Sequence, residues 1–141
     1  MKKSLAYGLL CIPIGLAVGI HLTVSALGDG YNVFIIAAPL AILLTGMLCW
    51  KIIMARLTYP RALLTGLLTG TLSHWLCWYM LLFIFYFIPS GTFSDRINPL
   101  KAIEAAAIYS FYSILFYGLF TAGLSAAAAL FPTKRYKEIS K

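Results

Sequence analysis

Four long apolar runs separated by short polar or basic segments set the pattern of this chain. The longest lies between Arg61 and Asp95, where residues 62–94 carry no formal charge. A run of this length and apolarity exceeds what a soluble core helix needs and reads as a membrane span. Its three companions cover residues 5–27, 33–54 and 105–131, and the third span itself is expected over 62–88. The pattern predicts an all-α integral membrane protein. Its fold is a four-transmembrane-helix bundle made of two hairpins, a single membrane domain over residues 1–141 with no soluble domain.

Local signals place the ends of the spans. Gly28-Asp29-Gly30 marks a tight turn after the first, and Ile88-Pro89-Ser90-Gly91 closes the third with two breakers. Pro60 suits the first turn of the third helix, and Asn98-Pro99 reads as N-cap and first helical residue ahead of the fourth. Lys101 and Glu104, three apart, are placed to pair at the interface. Pro132 and the basic segment Lys134-Arg135-Tyr136-Lys137 are expected to stop the last helix. Pro13 and Pro39 fall inside the first and second spans, where neighbouring helices must compensate for the lost backbone hydrogen bond.

Composition confirms the solvent and charge supplies a direction. Hydrophobic residues make up 62% of the chain and charged residues 11%, which excludes an ordinary water-soluble domain. The net charge of +7 does not point to nucleic acid, because the basic residues sit at the ends of apolar runs. Lys2, Lys3, Lys51, Arg56, Arg61, Lys134, Arg135, Lys137 and Lys141 fall at the termini and the middle connection, and only Arg96 and Lys101 on the other side. By the positive-inside rule both termini are expected in the cytoplasm, with a bacterial inner (plasma) membrane as the setting. Residues 1–26 resemble a signal peptide in layout, but the apolar run from Leu5 to Leu27 is too long, so an uncleaved anchor is expected. Cys11, Cys49 and Cys77 lie within spans without C-x-x-C spacing and read as buried small hydrophobes.

Within the spans two kinds of position stand out. Gly15 and Gly19 form a GxxxG in the first span, and Gly66 and Gly70 another in the third; both let a second backbone approach closely. His74 continues the stripe Ala62, Gly66, Gly70 and so faces the neighbour that the glycines admit. An ionisable side chain near mid-membrane is a functional candidate, or else a neutral imidazole bonded to a hydroxyl on a facing helix. Tyr109, Ser113, Tyr117, Thr121 and Ser125 recur every four residues and draw a hydroxyl line along the fourth span. His21 lies nearer the outer face than His74.

The third and fourth spans are small-residued toward the cytoplasm, at Gly66, Gly70, Gly123 and Ala126 to Ala129, and bulky in their outer halves. They should pack closely at one end and splay at the other, leaving either a filled aromatic core or a cleft. Three functional classes follow. The first is a non-enzymatic protein that binds another membrane component, as an accessory subunit or an immunity or exclusion-type factor, with a membrane protein partner or a second copy of itself. The second is a small oligomeric transporter or channel whose path is lined by His74, Tyr109, Ser113 and Tyr117; His21 and Thr121 are further candidates for a ligand, partner or proton path. The third is an intramembrane haem or metal protein using His21, His74 and Cys77. The two histidines differ in depth and no fourth ligand is evident, so neither cofactor nor metal is expected. No catalytic triad, carboxylate pair or phosphate-binding loop is present.

Overall fold

Backbone N–H and C=O groups in lipid have no partners but each other, so long apolar runs fold as helices. The computed structural model of the chain describes residues 2–26, 30–56, 58–88 and 97–139, with the backbone alone for Lys2 and residues 135–139. Helix α1 spans Lys2–Ser25, α2 Phe34–Ile53 after a 3-10 turn at Tyr31–Val33, and α3 Tyr59–Phe87. The last rod is α4, Pro99–Ser113, joined to α5, Leu119–Ile139, by a π-helical turn at Ile114–Gly118. The described residues include no strand, and four segments are long and apolar enough to cross a membrane. The protein is an integral membrane four-helix bundle. Asp29, Asp95, Arg96 and the breakers at Pro89-Ser90-Gly91 lie outside the described residues.

Helix α1 packs on α2, α2 on α3, and α3 on both α4 and α5, while α1 closes the ring against α5. The glycines set how closely the first and third pairings approach. A Cβ at Gly15 would stand 2.6 Å from the Cα of Pro39, and one at Gly19 would stand 2.5 Å from the Phe34 carbonyl oxygen. At Gly66 and Gly70 an added Cβ would fall on the backbone of Ala126 and Ala122. In both pairs residue numbers rise along one helix as they fall along the other, so the helices are antiparallel. Both termini and the Arg56 connection therefore share one end, called here the basic end.

Toward the far end α3 turns bulky, and α4 meets it with alanines. Leu82 packs on Ala102 and Ala106, with Trp75, Trp78 and Tyr79 against the same surface, and Trp75 Nε1 donates to the Ile103 carbonyl at 3.4 Å. Large side chains on one helix thus fill the space left by small ones on the other. Among the described residues this contact is packed around buried Leu82, Ala102 and Ala106, with partly buried aromatic side chains against it.

Of the two ends of the last rod, one is as expected and one is not. Asn98 caps α4 as the sequence indicates, its side chain accepting from Leu100 N at 2.9 Å. The helix begins at Pro99 as that signal indicates, ahead of the membrane span, so Lys101 and Glu104 belong to it; both are exposed and form no ion pair with each other. At the other end α5 does not stop at Pro132 but continues to Ile139. Proline removes one donor without forbidding helical φ, and near the bilayer surface water can satisfy the freed carbonyl. Thr133 Oγ1 also donates back to the Ala129 carbonyl at 2.9 Å, tying the turn that contains the proline.

Gly66→Leu should lower stability by about 2 kcal/mol or more, because backbone and not a movable side chain lies in the way. Gly123→Leu, where an added Cβ meets nothing within 4 Å, should change it by less than about 0.5 kcal/mol. Reversible unfolding in mixed micelles would measure both.

Candidate functional site

Residue 73 is the midpoint of Tyr59–Phe87, so His74 sits at the centre of its span. It stands one turn beyond Gly70 on the face that touches α5 and is 6% exposed. Both ring nitrogens are bonded by the last rod. Nδ1 lies 2.6 Å from Ser113 Oγ and Nε2 lies 2.9 Å from Thr121 Oγ1.

The π-helical turn explains how one imidazole meets both hydroxyls. In a regular helix residues eight apart are rotated by about 80° around the axis. A π turn absorbs one extra residue, so Ser113 and Thr121 are related almost as a heptad pair, within about 20° of one face. The same turn breaks the four-residue hydroxyl line. Tyr109 tilts onto Trp78 of α3, with ring centroids 4.9 Å apart, while Tyr117, inside the turn, points to α1 and meets the His21 ring edge-on at 5.7 Å. Ser125 turns inward near the basic end, where its carbonyl accepts from Tyr7 Oη at 3.1 Å and its hydroxyl is buried beside the Cys11 thiol.

The hydroxyl partners favour one tautomer. Thr121 Oγ1 has a single proton and lies 3.1 Å from the Gly70 and Tyr117 carbonyls and 3.2 Å from that of Gly118. Carbonyls only accept, so when Thr121 donates to one of them it accepts from Nε2–H. Ser113 then donates to Nδ1. The chain runs from Ser113 through His74 and Thr121 to a backbone carbonyl, where it ends.

Beside the clasp is a cavity of about 30 Å³ lined by Ser73, His74, Cys77, Ser113 and Thr121, with Gly15, Val18 and Phe34 among its apolar walls. That volume matches roughly one water molecule. Its lining draws on all four rods around one polar point.

His21 does not share this space. It lines a separate groove of about 250 Å³ with Ala17, Val18, Tyr117 and Phe120, and its Nδ1 lies 3.4 Å from Ser25 Oγ. The two histidines and Cys77 therefore do not converge, and among the described residues no three His, Cys, Asp or Glu side chains do. The polar pair missed by sequence reasoning is Tyr7 with Ser125. A tyrosine near the basic end reads as an interfacial anchor, and periodicity alone carries no signal that its ring is fully buried against Trp50, 4.9 Å between centroids.

Interhelical hydrogen bonds in membranes contribute about 0.6 kcal/mol each and at most about 1.7. A double-mutant cycle of His74→Ala and Ser113→Ala should give a coupling energy of that order in reversible unfolding. Nitrogen NMR of the labelled ring should report Nε2 protonated and Nδ1 bare; the opposite tautomer would contradict the assignment. Comparison with protein-family models, curated proteins and solved structures finds no match to this chain, so its functional interpretation rests on its own residues.

Proposed function

We propose that the chain is a non-enzymatic membrane protein, seated in the bacterial inner (plasma) membrane, that works by binding another membrane component. It would act as an accessory subunit or as an immunity or exclusion-type factor, its partner presenting a transmembrane helix to the outer face of the last rod. Gly123 carries this proposal. Gly8, Gly15, Gly19, Gly66 and Gly70 each stand against another helix of the bundle, whereas the space around Gly123 is open.

Four residues on, Ala127 is exposed on the same face, so Gly123 and Ala127 repeat outside the bundle the small-xxx-small spacing of the two GxxxG pairs. Tyr112, Phe116 and Phe120 continue that face, with Phe116 81% exposed. Residue 116 is near the middle of the membrane-crossing segment Pro99–Lys134. Aromatic belts anchor proteins at the two interfaces; an aromatic ridge at mid-depth has no headgroups to meet and instead offers large rigid surfaces to a packed helix.

The interior supports this choice over transport. The imidazole is bonded on both nitrogens, the adjoining cavity measures about 30 Å³, and Tyr109 and Tyr117 face different neighbours.

The native complex, extracted from its own membrane in mild detergent, should contain a second polypeptide at fixed stoichiometry or a second copy of this chain. Gly123→Leu should reduce the recovered complex at least tenfold while the isolated bundle keeps its stability. A chain that is always recovered alone and moves a solute across liposomes would overturn the proposal.

A further inference from the structure

A further concavity lies between α1 and α2 at the basic end. It measures about 480 Å³ and is lined by Ser4, Leu44, Met47, Leu48 and Lys51. The α2 residues form one stripe at helical spacing, and from Leu44 to Lys51 the stripe rises about 10 Å along the helix. Its chemistry changes along that length. The inner part has only the apolar walls of Leu44, Met47 and Leu48, and the mouth, in the last turn of α2, has the exposed ammonium of Lys51.

Lys3, Arg56, Arg61 and Lys134 are exposed at the same end of the bundle and add to the positive potential there. A groove that is apolar toward the bilayer centre and cationic at the surface matches a phospholipid in shape and charge. We propose that it binds one anionic glycerophospholipid, an acyl chain lying along Leu44, Met47 and Leu48 and the phosphate meeting Lys51.

Lipid tails are as apolar as leucine, so moving a chain from bilayer to groove provides little selectivity. Discrimination has to come from the headgroup, and each basic residue near the surface contributes about a fivefold preference for an anionic lipid. An ordinary interfacial lysine would share the charge effect but would not depend on the groove. The two requirements, cation and open groove, therefore separate a binding site from simple anchoring.

The test reconstitutes the full chain in nanodiscs of equal parts dioleoyl phosphatidylglycerol and dioleoyl phosphatidylcholine, and counts lipid retained per chain by native mass spectrometry. One phosphatidylglycerol should be retained in preference to phosphatidylcholine. Lys51→Gln should lower that preference about fivefold, and Lys51→Arg, which keeps the charge, should preserve it. Leu44→Trp, which fills the groove and leaves Lys51 in place, should also reduce retention. Equal retention of the two lipids, an unchanged preference in Lys51→Gln, or full retention in Leu44→Trp would each overturn the proposal. These residues lie apart from Gly123, so the outcome does not depend on the partner proposed for the last rod.

Discussion

The backbone contact between α3 and α5, Gly66 on Ala126 and Gly70 on Ala122, is the constraint on which the centre of this protein depends. In lipid, helices gain nothing from the hydrophobic effect by meeting each other, so association relies on close packing and on polar groups that find partners. Removing two side chains brings the backbones near enough for the Gly70 carbonyl to accept from Thr121 at 3.1 Å. One turn further along α3, His74 then reaches the same threonine. The small residues and the histidine work as one device: the first sets the distance, the second sets depth and rotation.

The π-helical turn completes that device. Its extra residue turns Ser113 and Thr121 to one imidazole, and it also pushes Phe116 and Leu119 outward, where they are 81% and 93% exposed. One irregularity in the last rod therefore links the closed interior to the most prominent outer ridge. The hairpin of α1 and α2 is built by the same rule of close backbone approach, at Gly15 against Pro39 and Gly19 against Phe34. With both pairs packed this tightly, the polar cavity beside His74 measures only about 30 Å³. On the outside lie the exposed aromatic face of the last rod and the groove lined by Leu44, Met47, Leu48 and Lys51.

Much of the architecture was legible in the residues. Apolar runs of membrane length, glycine pairs at four-residue spacing and the Asn98-Pro99 start signal depend on local chemistry and on helix geometry, which the chain carries wherever it folds. His74 was legible as a mid-span ionisable group on the glycine face for the same reason. The far-end core was less so, since bulky residues on Trp75 and Trp78 could equally border a cleft or fill one. That choice depends on Ala102 and Ala106 standing opposite Leu82, a pairing between residues some twenty positions apart.

By itself the sequence determined a four-helix integral membrane bundle, the closeness of two helix pairs and the position of its one mid-membrane histidine, because period, length and side-chain size act locally. Tertiary structure alone decided which hydroxyls hold that histidine. A regular helix would spread Tyr109, Ser113, Tyr117, Thr121 and Ser125 along one drifting stripe; the π turn, whose hydrogen bonds no residue type encodes, divides them among α1 and α3. It also decided which glycines face inward and which one faces out. Gly123 and Gly70 are the same residue in similar sequence, and only the placement of a neighbouring backbone, against one and not the other, distinguishes a contact already made from one still open.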